Sequence, residues 1–170
     1  MRFLKILLPV WLVIYTFSAA AGPSFCQSGV IAGVAPQQED RAEALKWLKI
    51  YREAADQGHS WAQYNLGRIY DEGKSVARDH AEALVWYRKA AGQGDAYAQC
   101  SLGDMYANGR GIAQDHVQAY MWLILCAAGA RGMEQENAAN SRNAIGKKLT
   151  PPQIAEARRL ATEWKLKQTK

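Results

Sequence analysis

The chain has 170 residues, 49% of them hydrophobic and 22% charged, with a formal net charge of +5. That charge sits at the two ends. Residues 1–21 carry two basic groups, residues 22–132 hold 11 basic against 12 acidic, and residues 133–170 hold 8 against 4. The long central part is therefore near neutral, which excludes a basic nucleic-acid surface there.

Met1 to Lys5 is basic, Ile6 to Phe17 is apolar, and Ser18-Ala19-Ala20-Ala21 is a small-residue exit. This pattern predicts a secretory signal peptide over 1–21, cut after Ala21, and a periplasmic or secreted protein. A retained leader would instead make a membrane tether, although Pro9 and the alanine-rich exit favour cleavage. Residues 22–38 carry no charge and several breakers, Gly22, Pro23, Gly29, Gly33 and Pro36, and read as a flexible arm. A helix is expected from Glu39 to Gln57, with Ala44, Leu45, Leu48 and Tyr51 on its apolar side.

Tyr51 to Trp86 is then written again as Tyr87 to Trp122, and 17 of the 36 positions are identical at a shift of 36. A period of this size marks stacked supersecondary units, none of which buries its apolar face alone. Each unit reads as two helices. Ala62, Leu66, Ile69 and Tyr70 form a stripe stopped by Gly73, matched by Ala98, Leu102, Met105, Tyr106 and Gly109. Asp79 and Asp115 stand where an N-cap is wanted. The second helices carry Ala83, Trp86, Tyr87 and Ala90, then Ala119, Trp122, Leu123 and Cys126.

Gly67 and Gly103 fall mid-helix at matched register, where glycine costs about 0.8–1 kcal/mol relative to alanine. Such a pair predicts two sites where a neighbouring helix comes too close for a side chain, with Trp47, Trp86 and Trp122 filling wider gaps. From Met133 the repeat dissolves into a polar helix over 133–147. Thr150-Pro151-Pro152-Gln153 then opens a last helix as an N-cap, a first-turn proline and a capping-box glutamine. Its stripe of Ile154, Ala157, Leu160, Ala161 and Trp164 faces inward, so residues 133–170 read as capping helices over a repeat array at 39–132.

The run Ala62-Gln63-Tyr64-Asn65-Leu66-Gly67-Arg68-Ile69-Tyr70, with Asp71-Glu72-Gly73 and then Ala81 to Gly94, resembles the Sel-one-like repeat (SLR) family. The resemblance covers about Asp40 to Arg131. It implies an all-α fold, a right-handed alpha-solenoid of stacked helix-turn-helix repeats related to the tetratricopeptide repeats. The second copy keeps the family's Gly-x-Gly turn as Gly109-Arg110-Gly111, whereas the first has Gly73-Lys74-Ser75. Three extra residues, Leu48, Lys49 and Ile50, separate Trp47 from Tyr51.

Disulfide-rich relatives staple the two helices of a repeat, and the resemblance implies the same for Cys100 and Cys126. Each stands one position from that pattern, a turn of about 100° on its helix. A bridge and two buried thiols therefore both stay open, and Cys26 is left over either way. No Gly-x-Ser-x-Gly, Ser-x-x-Lys, His-Glu-x-x-His or Cys-x-x-Cys occurs. His80 and His116 follow capping aspartates at equivalent places, which repetition explains better than a metal site. No catalytic residue, metal or cofactor is expected. A Cys100–His116 nucleophile pair would lack any orienting third group.

Positions that differ between copies are free to carry specificity. On the first helices these include Trp61 and Tyr97, Tyr64 and Cys100, and Arg68 and Asp104. Trp61, Tyr64, Arg68, Tyr97 and Asp104 are the candidate partner-binding residues, aromatic and arginine anchors being the types that dominate interfaces. Trp61 and Tyr97 also suit packing between repeats. The expected function is a non-enzymatic periplasmic scaffold that binds another protein on its concave face, with no nucleic-acid partner. Self-association stays open. The alternatives are a cell-wall or β-lactam ligand binder or hydrolase, as connected with cysteine-rich relatives, and a membrane-tethered adaptor if the leader is kept.

Overall fold

The computed structural model describes residues 35–74 and 76–168. The leader, most of the arm and Cys26 lie outside the described residues. Among the described residues seven helices follow one another: α1 (Ala35–Asp56), α2 (Ser60–Glu72), α3 (His80–Gly92), α4 (Ala96–Asn108), α5 (His116–Gly129), α6 (Met133–Gly146) and α7 (Pro151–Gln168). No strand occurs among the described residues. None of these helices is long and apolar enough to cross a membrane. α1 starts four residues before Glu39, inside the segment whose composition reads as an arm. Pro36 does not prevent this, because a first-turn residue needs no amide for the helix ladder.

The local signals act where the duplication puts them. Asp79 accepts from the amides of Ala81 and Glu82 at 3.0 and 2.9 Å. Asp115 accepts from Val117 and Gln118 at 2.8 and 3.0 Å. Each cap contributes about 1 kcal/mol to starting its helix. Gly73 and Gly109 close the preceding helices in the left-handed conformation, their amides donating to the carbonyls of Ile69 and Met105.

Helices then pair in order, α2 on α3, α3 on α4 and α4 on α5, while α6 and α7 both pack on α5. The array is an all-α solenoid of stacked repeats. Within each repeat the two helices touch at the mid-helix glycine. A Cβ built on Gly67 would lie 2.7 Å from Tyr87 Cδ1, and one on Gly103 would lie 2.8 Å from Leu123 Cγ. Tyr87 and Leu123 are both fully buried and themselves 36 residues apart, so the contact is the same one built twice. Buried Trp86 and Trp122 fill the wider spaces beside it.

The ends of the array differ from the pattern. Trp47 is 49% exposed, with Tyr51 as its ring neighbour at 6.1 Å, and Leu45 is exposed too. Both were expected inside. The residue at Trp86's place one period earlier is Ile50, so Trp47 lies three residues out of register, about 60° round the helix. Only Leu48, Tyr51 and Ala54 of α1 reach the cluster around Leu66 and Trp86, with Ala55 buried in it. At the other end Ala157 and Ala161 of α7 are buried, and Ile154, Leu160 and Trp164 pack against the main core. Trp164 meets Trp122 edge-on at 4.8 Å between centroids. The Gln153 side chain accepts from the Thr150 amide at 2.9 Å, the glutamine half of the capping box.

Replacing Gly67 by alanine sets a helix-propensity gain of about 0.8–1 kcal/mol against an overpacking cost of about 1–3 kcal/mol. Because the Tyr87 ring is enclosed, the cost wins, and Gly67→Ala is expected to lower stability by about 1–2 kcal/mol. Gly92→Ala has open space around its Cβ and should raise stability by about 0.5 kcal/mol. Urea unfolding of the two variants measures both, and a stabilised Gly67→Ala would contradict the close-contact account.

Candidate partner-binding surface

The first helix of each repeat, α2 or α4, carries the candidate residues. Trp61 and Tyr97 occupy equivalent positions and are 50% and 51% exposed. Trp61 meets Tyr51 edge-on at 6.0 Å and stacks near His59 at 6.3 Å. Tyr64 lies between two rings, Tyr87 at 5.9 Å and Tyr97 at 5.8 Å. The structure therefore joins Tyr64 and Tyr97 in one aromatic row across α2 and α4, with Trp61 set toward α1. Half of each outer ring supports the array and half faces solvent.

Charged groups border this row. Arg68 pairs along its own helix with Glu72 at 3.6 Å. Burial raises the Tyr64 phenol above its ordinary range; Arg68 works against that shift, while Asp95 and Glu134 add to it. Asp104 is open to water, yet the protein packed around it raises its carboxyl chiefly by desolvation. Arg110 opposes this, and Glu134 and Asp71 reinforce it. Glu134 opens α6 and is felt from both α2 and α4. Glu134 thus acts on Tyr64 of α2 and on Asp104 of α4 alike, and Arg110 acts on Asp104 from the turn after α4.

Two of these groups, Arg110 and Glu134, are not among the candidates read from the first helices. Arg110 lies in the Gly109-Arg110-Gly111 turn. Gly111 has φ +67°, and a Cβ there would meet the His80 carbonyl oxygen at 2.5 Å. The turn is thus seated on the start of α3, which carries Arg110 to Asp71, with Nη1 donating to both carboxylate oxygens at 3.3 and 3.2 Å. The same Asp71 holds His80 Nδ1 at 2.8 Å. The sequence signal was the change from Lys74-Ser75 to Arg110-Gly111 between the copies.

The histidine repetition is only half functional as a bond. Asp71 is replaced by Ala107 one period later, and His116 Nδ1 is buried without a partner. No group of His, Cys, Asp and Glu among the described residues could hold a metal ion. Cys100 and Cys126 are joined in a disulfide between α4 and α5, with Cα atoms 5.1 Å apart. They pack with Ala130 and with Ala138 of α6, so the bridge reaches beyond the α4–α5 pair. With its sulfur so engaged, Cys100 offers no thiolate to His116.

The sequence profile of the Sel1 repeat matches residues 22–59, 62–95 and 96–129. The chain belongs to the Sel1 repeat family. The second and third matches are the helical pairs α2–α3 and α4–α5, and the first ends with α1. No curated protein matches this Sel1 repeat chain. Among solved structures it is similar to a protective antigen present in uropathogenic Escherichia coli strains displaying an SLR fold, at 36% identity and a TM-score of 0.64. That likeness covers 69% of this chain and 24% of the antigen. It is also similar to a Sel1 repeat protein from Oxalobacter formigenes, at 34% identity and a TM-score of 0.50, covering 54% of this chain and 37% of that one. The chain thus spans less than two fifths of either protein. Sel1 repeat proteins are generally protein–protein interaction scaffolds.

Two measurements follow from this surface. The disulfide closes a sequence separation of 26 residues, for which chain entropy gives about 3 kcal/mol. The Cys100→Ser, Cys126→Ser variant is expected to lose stability of that order in urea, and dithiothreitol should do the same to the unmodified chain. For Asp104, the folded value lies above the unfolded one, so ionisation costs stability. That cost is absent below the unfolded range and complete above the raised folded value. Asp104→Asn is therefore expected to melt higher than the unmodified chain at neutral pH, with the difference shrinking as pH falls toward about 4 and gone below it.

Proposed function

We propose that this Sel1 repeat protein is a non-enzymatic, exported scaffold that binds another protein across α2, α4 and the start of α6. The observation that carries the reading is the half-exposed pair Trp61 and Tyr97, repeated at one register and bordered by Arg68 and Asp104. Half-buried rings lose little entropy on binding and offer large contact areas, which is why aromatic and arginine side chains dominate interface energetics. Asp104 supports it from the other side. A carboxylate held in a desolvating, partly like-charged setting is relieved when a partner supplies a cation.

Export is supported by two independent features. Residues 1–21 have the basic, apolar and small-residue order of a secretory leader, and a Cys100–Cys126 bridge persists in an oxidising compartment rather than a reducing one. The test is affinity capture from periplasmic extract with the unmodified chain, Arg68→Glu, and Trp61→Ala with Tyr97→Ala. A specific partner is expected with the unmodified chain, weakened at least about tenfold by either variant. The recovered bait should begin near Gly22. A partner retained equally by all forms would place binding elsewhere, and a bait found only in the cytoplasm would remove the export reading.

A further inference from the structure

A second concave surface lies away from the aromatic row. α6 and α7 both pack on α5 but make little contact with each other. Between them is a cleft of about 470 Å³ whose walls carry Arg142 and Asn143 from α6 and Arg158, Thr162 and Lys165 from α7. Tyr120 and Ile124 of α5 line it as well. Arg158, Ala161, Thr162 and Lys165 stand at i, i+3, i+4 and i+7, so one face of α7 turns toward the space.

Three cationic side chains line this cleft and no carboxylate does. The acids of α7 are engaged elsewhere: Glu156 and Glu163 both pair with Arg159, Glu156 at 2.6 Å. That bond to Arg159 lowers the Glu156 carboxyl below its ordinary range, so it stays ionised and committed. α5 contains no acid at all, and those of α6, Glu134 and Glu136, are in its first turn, about two turns before Arg142. Neither Arg158 nor Lys165 has an ion-pair partner among the described residues, and Arg142 donates only to Asn143 at 3.3 Å. Asn143 accepts that bond with its oxygen, which leaves its amide hydrogens to donate. The Thr162 hydroxyl donates to the Arg158 carbonyl at 3.0 Å and so adds no donor.

We propose that the α6–α7 cleft is an anion site for a phosphate-bearing ligand, with Arg142, Arg158 and Lys165 as its cationic contacts. Two planar guanidinium forks and an ammonium match the several oxygens of a phosphate ester better than a single carboxylate. The volume falls within the range of small-molecule sites and exceeds a bare phosphate. The Tyr120 and Ile124 side chains would take the organic part. This site is independent of the partner surface on α2 and α4.

The chemistry is shared by soluble phosphate esters and by phospholipid headgroups, and calorimetry with glycerol 3-phosphate, beside flotation with phosphatidylglycerol-containing vesicles, separates them. Binding in either arm is expected, reduced at least tenfold in Arg142→Gln, Arg158→Gln and unchanged in Arg159→Gln, whose charge points elsewhere. All forms carry the same N-terminal segment, so any contribution from it cancels in the vesicle comparison. Urea midpoints establish that each form is folded; Lys165→Gln, at an exposed position, replaces the double variant if that one unfolds. Failure of the unmodified chain to bind either probe, or an equal loss in Arg159→Gln, overturns the proposal.

Discussion

The array depends on one contact, the approach of two helices at a glycine. At Gly67 and Gly103 there is no room for a Cβ, and the opposing side chain, Tyr87 or Leu123, is enclosed. This fixes how far apart the two helices of a repeat lie. Once that distance is set, buried Trp86 and Trp122 take the remaining volume, and the small residues Ala83, Ala90, Ala98 and Ala119 let the next helix close over them. Neither hairpin would bury these faces alone. Stacking supplies the missing cover, so the stability of one repeat is partly the property of its neighbour.

The side-chain hydrogen bonds follow the same duplication until two substitutions in the second copy break it. Arg52 donates to the Tyr70 hydroxyl at 3.2 Å, and Arg88 donates to the Tyr106 hydroxyl at 2.8 Å, one period on. Trp86 Nε1 donates to Glu82 at 2.9 Å. In the next repeat Glu82 has become Gln118, and Trp122 Nε1 is buried without an acceptor. His116 is left in the same state by the loss of Asp71's counterpart. At Trp122 the edge-on Trp164 ring supplies aromatic contact in place of a polar partner. Repetition thus preserves helix geometry more faithfully than polar satisfaction, because the former needs only small and apolar residues at a fixed spacing.

That asymmetry explains what the sequence makes legible. Helix pairs, caps and glycine contacts can be read from a shift of 36, since each depends on residues close in the chain or repeated within it. The ends cannot be read this way. Trp47 looks like Trp86 in type but is three residues out of register, so its exposure depends on a helix phase that composition does not report. The aromatic row of Tyr64 and Tyr97 is visible as divergence between copies. Arg68 and Asp104 of its charged border are visible in the same way, but the approach of Arg110 and Glu134 is not. Arg110 reaches Asp71 only because Gly111 lets a turn lie against the His80 carbonyl, and Glu134 joins only through the placement of α6. Both depend on contacts between neighbouring repeats, which a comparison of repeat with repeat leaves out. The disulfide had two readings for a similar reason: a one-residue offset on each of two helices can cancel or add, and only their relative rotation decides.

The helices after α5 show how one composition produces a surface the repeats lack. α5 reads His116-Val117-Gln118-Ala119-Tyr120-Met121-Trp122-Leu123-Ile124-Leu125-Cys126, apolar on nearly every side, with seven of its residues buried. A helix of that kind must be covered all round. α4 covers one side, and the two helices that come next in the chain, α6 and α7, do not continue the repeat. Two helices, α6 and α7, therefore divide the remaining surface. Both are directed at α5 rather than at each other, so their contact is poor and a wedge stays open between them. The wedge is lined by whatever those helices turn away from α5, and in a segment with 8 basic and 4 acidic residues this is basic. Arg159 then takes up both acids of α7 and leaves the wedge uncompensated. A positive cleft here follows from closing an apolar helix with a basic tail.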